Sequence, residues 1–238
     1  MQKRWFKMIG IIGLVGLVLL IATLPVMASS IEERRTVPLE TAESARVEIQ
    51  FGVGELLVSG GAMELIEAEF RYANEHWEPE LEHIRRNSLT RVEIDQDLSV
   101  LSFFHFGPLE NRWNILLNNQ VPLDLTVKVG AGKADLSMGW LNLRSLNIKV
   151  GAGEMILDLT GAWAQDCNIE LDMAAGTLHL LLPSAVGVRV EAQTVVGQVD
   201  ARNLTEEDGA YVNLAYHTSP VTLNIRLRNI VGEVVIKG

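Results

Sequence analysis

From Arg46 to the C-terminus the chain alternates apolar and polar residues with a period of two. That period belongs to strands with one face in a core and the other in solvent. Leu123, Leu125, Val127 and Val129 alternate with Asp124, Thr126 and Lys128. Leu146, Ile148 and Val150 alternate with Asn147 and Lys149, and Val221, Leu223, Ile225 and Leu227 with Thr222, Asn224 and Arg226. The stretch Val186, Val188, Val190, Ala192 repeats the pattern. Helical spacing is not sustained anywhere in this part. The span from Ala73 to Arg86 is its weak candidate, and Pro79 interrupts it. The pattern predicts an all-β domain over residues 46–238.

Superimposed on the alternation is a longer repeat. A strand runs into a small-residue corner, and a new strand leaves it after a glycine. The copies are Phe51-Gly52-Val53-Gly54, Val129-Gly130-Ala131-Gly132, Val150-Gly151-Ala152-Gly153, Met173-Ala174-Ala175-Gly176, Thr194-Val195-Val196-Gly197 and Asn229-Ile230-Val231-Gly232. Four successive corner glycines, 132, 153, 176 and 197, are spaced by 21, 23 and 21 residues. Glycine turns the backbone through conformations that a Cβ forbids. Units of this kind stack as rungs of a β-solenoid, each burying its apolar face on its neighbours. The alternative is an antiparallel meander with the corners as hairpin tips. Tips of that kind prefer dipeptides such as Asn-Gly, which are absent from these corners, and the shared register favours stacking.

Residues 62–120 break the spacing and read as insertions between rungs. Strands are expected near Ile66–Tyr72, Leu89–Ile94 and Ser99–Phe106, with a charged loop from Asn74 to Asn87. This N-terminal part is expected to cap the core. At the other end Val234, Val235 and Ile236 finish the chain inside a rung. That predicts an unpaired C-terminal strand edge, open to self-association.

The N-terminus follows a different pattern. Lys3, Arg4 and Lys7 precede an apolar run from Met8 to Leu24, and Val26 and Ala28 have the small-residue spacing of a cleavage site. Residues 1–28 therefore read as an apolar helix, either a signal peptide or an uncleaved anchor, with the remainder outside the cytoplasm, secreted or held at the outer face of the membrane. Residues 29–45 read as a polar linker. Without its three basic residues, the chain beyond Ala28 carries 17 Lys plus Arg against 30 Asp plus Glu, a formal charge of −13. That balance argues against a nucleic-acid partner.

Chemistry-bearing constellations are sparse. The single cysteine, Cys167, excludes an internal disulfide, and its parity with Ile169, Leu171 and Met173 places it in the core. Asp135 follows Gly130-Ala131-Gly132 at a spacing like that of calcium-binding β-rolls, but the period of about 21 is not the nine residues such rolls require. The five histidines, His76, His83, His105, His179 and His217, have no metal-ligand spacing. Trp77, Phe103, Phe104, Phe106 and Trp113 are expected either to cover an open end of the core or to form a contact patch. Glu67 and Glu69 share a strand face, within a run of acids from Glu64 to Glu82. No catalytic, cofactor or metal residue is expected. The competing reading is a carbohydrate-active β-helix enzyme using surface carboxylates.

Trp113-Asn114-Ile115-Leu116-Leu117, Val121-Pro122-Leu123-Asp124-Leu125-Thr126-Val127, Ala134-Asp135-Leu136-Ser137 and the paired Gly-Ala-Gly corners at 130–132 and 151–153 carry a resemblance. Over roughly residues 45–238 the chain resembles the bacterial toast-rack domain family. That family is similar to adhesin-like proteins of unknown function and to the extracytoplasmic part of Lia-type envelope-stress regulators. The resemblance implies a single-stranded right-handed β-helix outside the membrane, without catalytic residues. It implies a structural or interaction role, adhesive or in envelope sensing, with a protein or envelope partner. The single N-terminal apolar segment departs from the several membrane helices of Lia-type regulators.

Overall fold

Each glycine corner bends one long strand; it does not join two short ones. The computed structural model describes residues 30–73, 75–96 and 110–238. The expected apolar helix over residues 1–28 and the strand near 99–106 lie outside the described residues. The strands are β1 (Ile31–Val37), β2 (Ser44–Ala62), β3 (Ile66–Tyr72), β4 (Glu80–Arg86), β5 (Leu89–Asp95), β6 (Asn111–Asn118), β7 (Leu123–Ser137), β8 (Leu143–Asp158), β9 (Cys167–Leu181), β10 (Gly187–Arg202), β11 (Thr205–Glu207), β12 (Ala210–Val212) and β13 (Thr222–Lys237). Among the described residues, no helix is long and apolar enough to cross a membrane.

Six long strands form a parallel spine in the order β2-β7-β8-β9-β13-β10. Their corner glycines lie side by side in the order Gly54, Gly132, Gly153, Gly176, Gly232 and Gly197. All six have φ between +120° and +139°, a region open essentially to glycine alone. A Cβ on Gly153 would sit 1.9 Å from the Gly132 carbonyl oxygen, and one on Gly176 1.8 Å from that of Gly153. Each rung thus rests directly on the glycine backbone of the next.

The corner also switches which residues face inward. In β7, Leu123, Leu125, Val127 and Val129 are buried before it and Ala134 and Leu136 after it. In β8 the parity is reversed as a whole, with Leu146, Ile148 and Val150 before and Met155 and Leu157 after. Both arms of every rung therefore face one core, built from aliphatic ladders in register. Cys167 lies in that core, as expected. Burial pushes its thiol up to about 12, with the charge of Asp124 adding to the shift.

The insertion at 62–120 caps the first rung. Parallel β5 covers the first arm of β2 and parallel β6 covers the second. Antiparallel β3 and then β1 extend the β6 side, and β4 extends β5. Trp113 is fully buried in this cap, edge-on to Phe51 and Phe70 with centroids 5.1 and 5.2 Å away. It is a core residue, not part of an exposed aromatic patch.

Three expectations need correction. Residues 31–37, placed in the linker, form β1, which pairs with β3 along its whole length. The segment expected as a charged loop holds a 3-10 turn, Glu75–Trp77, and then strand β4; Pro79 ends the turn before any helix can form. The rungs do not stack in sequence order, because β13 inserts between β9 and β10. For the same reason the C-terminal strand is not an edge: it is hydrogen-bonded along both sides. The open rung is β10. Among the described residues its outer side is paired with β12 at Arg189 and Val190, and the Asn213 N–H donates to the Val188 carbonyl beside them.

The glycine contact can be separated from backbone strain. Gly61 also has positive φ, +112°, but nothing lies within 4 Å of where its Cβ would be. Gly61→Ala should therefore cost only the strain of about 1–2 kcal/mol, whereas Gly153→Ala should exceed about 3 kcal/mol or prevent folding. Urea unfolding of the two variants measures the difference, and equal losses would mean that rung contact contributes nothing. The Cys167 thiol should resist alkylation at pH 8 in the folded chain and react rapidly in denaturant. The raised value favours the protonated, folded form, so the stability it contributes is complete below the ordinary value of 9.0 and declines as pH rises from there toward about 12. Rapid native labelling at pH 8 would contradict this burial.

Candidate functional site

Outward-facing positions are set by the same alternation that fills the core. Four residues before each corner glycine stand Gln50, Lys128, Lys149, Asp172 and Arg228, neighbours across β2, β7, β8, β9 and β13. Two residues before it stand Gly130, Gly151, Ala174 and Ile230. Small residues beside a row of long ones leave a groove of about 580 Å³ that crosses five rungs. Glycine supplies its floor because a side chain there would strike the adjacent rung: a Cβ on Gly151 would lie 2.3 Å from the Gly130 carbonyl oxygen.

The groove is electrostatically almost closed. Lys128 Nζ lies 2.5 Å from Glu48 Oε1. Arg228 grips Asp172 with two bonds, from Nε to Oδ1 at 2.7 Å and from Nη2 to Oδ2 at 2.9 Å. That contact holds the Arg228 guanidinium above its ordinary value. Lys149 alone of the three cations makes no ion pair among the described residues. Asp172 is the one carboxylate in the lining, and it is already engaged by Arg228.

The expected surface acids are structural partners. Glu67 accepts bonds from the backbone N–H groups of Met63 and Glu64, and Glu69 pairs with Arg34 at 3.3 Å. Asp158 caps a turn by accepting from the Thr160 N–H and hydroxyl. Asp135 is exposed on the outer face of β7. Among the described residues no group of three or more His, Cys, Asp or Glu side chains is placed to hold a metal ion. His83 and His217 are exposed, and His217 Nε2 lies 2.9 Å from Glu207. His105 lies outside the described residues.

One cluster escaped the sequence reading. Glu33 and Arg35 face the half-buried side of β1. Arg35 Nε donates to Glu33 at 2.6 Å, its Nη1 to the Pro79 carbonyl at 2.6 Å and its Nη2 to Glu78 at 2.8 Å. Its guanidinium sits 5.9 Å from the Phe70 ring centroid. The Arg35 bond holds the Glu33 carboxyl below the usual range against the opposing effect of burial. The pair ties β1 to the segment entering β4, and it hid β1 because charged residues occupy the strand's inward positions.

Comparison with known proteins agrees with this architecture. A family model described as the N-terminal domain of toast_rack, DUF2154, matches residues 26–181. A second, described as cell wall-active antibiotics response LiaF, C-terminal, matches residues 130–236. The crystal structure of a suspected cell adhesion protein from Clostridium sporogenes ATCC 15579 is 28% identical, covering 88% of this chain and 99% of that one with a TM-score of 0.85. A suspected adhesin from Bacteroides fragilis NCTC 9343 is 10% identical over 87% of this chain and 96% of its own, with a TM-score of 0.32, too distant to carry an argument. No curated protein sequence matches. The glycine-cornered parallel spine and a family match over residues 26–181 lead to one assignment: the chain belongs to the toast-rack family.

Proposed function

We propose that this chain is a non-catalytic extracytoplasmic interaction module of the cell envelope, either adhesive or part of envelope-stress sensing. Residues 1–28 deliver it across the membrane as a signal peptide, or hold it at the outer face as an anchor. Residues 31–238 form the working domain, a single-stranded β-helix whose parallel crossovers take the right-handed course usual for such connections. The observation that carries this reading is the groove along the corners. It is open and rigid, floored by backbone, and its lone carboxylate is held by Arg228. Glycoside hydrolysis needs two carboxylates facing one bond, about 5–10 Å apart, and this lining offers one. A rigid open face whose lining holds one cation, Lys149, without an ion pair among the described residues suits a partner that is bound without being transformed. The names of the relatives, a cell adhesion protein and a LiaF C-terminal domain, support an envelope setting.

The test has two arms. Protease added to intact spheroplasts should digest the domain, and the purified chain should be retained on isolated cell envelopes, with Lys149→Glu weakening retention several-fold. Incubation with peptidoglycan and other envelope polysaccharides should release no new reducing ends. Hydrolysis that disappears in Asp172→Asn would replace this reading with the carbohydrate-active enzyme.

A further inference from the structure

The two ends of the spine are finished differently. At the β2 end, both arms are covered, and the outermost strands β1 and β4 are lined with charge: Glu32 and Arg34 on one, Glu80, Glu82, Arg85 and Arg86 on the other. Charged residues are how natural sheets protect an edge. At the β10 end, Gln193–Val199 is a run of seven uncharged residues with no proline, and among the described residues no strand pairs with its outer side. Such a segment is a template for another strand.

Exposed apolar side chains gather at the same place. The corner positions that are Gly-Ala or Ala-Ala in β7, β8 and β9 become Ile230-Val231 in β13 and Val195-Val196 in β10. These four are 54%, 47%, 77% and 60% exposed, and Val196 lies beside Val231 in register. The inward-facing residues of the last rung, Ala192, Val199 and Ala201, are only partly covered by the core they pack against.

We propose that a second copy of this chain covers this end, with the two β10 strands paired antiparallel about a two-fold axis at their corners. The corner's parity switch makes that pairing self-consistent. Setting Val196 of one copy against Gly197 of the other places Ala192 opposite Ala201 and Thr194 opposite Val199, all inward-facing, so the two cores become continuous. On the outer face the same register sets Glu191 opposite Arg202, twice. Glu191 already contacts Arg189 and Arg202 already contacts Asp200 within each strand, so opposed pairs complete two rows of alternating charge across the junction. The exposed valines meet around the axis. The pairing closes on itself, since the same patch serves both copies and the opposite ends stay capped. A head-to-tail filament would instead need the charged edges of β1 and β4 to accept β10.

Light scattering on the full-length chain in mild non-ionic detergent should give twice the chain mass. Val195→Lys with Val196→Lys should give a single-chain mass with unchanged β-sheet circular dichroism, because both side chains are exposed in the monomer. Glu191→Arg or Arg202→Glu alone should weaken the dimer about tenfold by opposing like charges twice, and the two combined should restore it. Amide exchange of residues 191–202 should slow as protein concentration rises, a readout that holds even if the double lysine variant fails to fold. A single-chain mass for the unaltered protein, a double mass that survives the lysines, concentration-independent exchange at 191–202, or an unrestored charge swap would overturn the proposal. So would an unaltered monomer that pairs only with an added extended peptide.

Discussion

The contact between corner glycines decides the rest of this molecule. In each spine strand the backbone turns at a residue with φ near +130°, and the place where a Cβ would stand holds a backbone carbonyl oxygen about 2 Å away, that of Asn111 for Gly54 and that of the neighbouring corner glycine for the other five. No other residue fits, so every rung must present its glycine at the same height as the next. Alignment of the corners then aligns everything else. Phe51, Val129, Val150 and Met173 fall into one ladder, and Leu56, Ala134, Met155, Leu178 and Val234 into another. A slip of one residue would carry a whole arm from core to solvent and would also drive a side chain into a carbonyl. The two penalties act together, which is how strands far apart in sequence, β2 and β7 among them, find one register.

The same column explains how the spine ends. Before the corner, the ladder Phe51, Val129, Val150, Met173 continues as Asn229 and Thr194. The Asn229 amide is buried with neither its nitrogen nor its oxygen hydrogen-bonded, and the Thr194 hydroxyl is likewise buried without a partner. Polar atoms left this way each cost on the order of 1–3 kcal/mol. Before the corner the ladder thus turns from apolar to polar toward β10, while the corner outside turns from Gly-Ala to Val-Val. The cap also leaves Trp113 Nε1 and Asn111 Oδ1 buried without a partner, but it closes its end: Trp113 fills the space against Phe51 and Phe70, and the Arg35 cluster ties β1 down. The molecule has one closed end and one open end, and the sequence differences between rungs follow that polarity.

Much of this was legible before the coordinates. Period-two alternation located the spine strands, and six corner glycines announced that they stack. Gly54 belonged to the set although 78 residues separate it from Gly132, because the corner motif is a local chemical requirement. The order of the rungs was not legible. All corners make equivalent contacts, so the motif says which strands stack and is silent on which neighbours which. The inward residues after the corner do not reveal the order either: Val234 of the interior β13 faces an identical Val199 in β10, and the interior β7 carries Ala134 at that height. Strand β1 was hidden for another reason. Its inward positions alternate Ile31, Glu33, Arg35 and Val37, and an ion pair facing a half-buried surface defeats a hydrophobicity pattern.

The outer faces carry the last consequence of the register. Stacking in register sets side chains of adjacent rungs opposite one another, and the acids and bases of this chain use that placement. Glu48 pairs with Lys128 across β2 and β7, Lys133 with Glu154 across β7 and β8, and Asp172 with Arg228 across β9 and β13. Exposed pairs of this kind contribute at most about 1 kcal/mol each, so their main effect is not stability. They match charges across adjacent rungs, so these parts of the outer faces carry paired side chains. Where the repeat departs from this matching, groups are left without a counterpart in the adjacent rung. Among the described residues Lys149 in the corner groove makes no ion pair, and at the β10 rung an unpaired outer side, corner valines and partly covered core residues lie together.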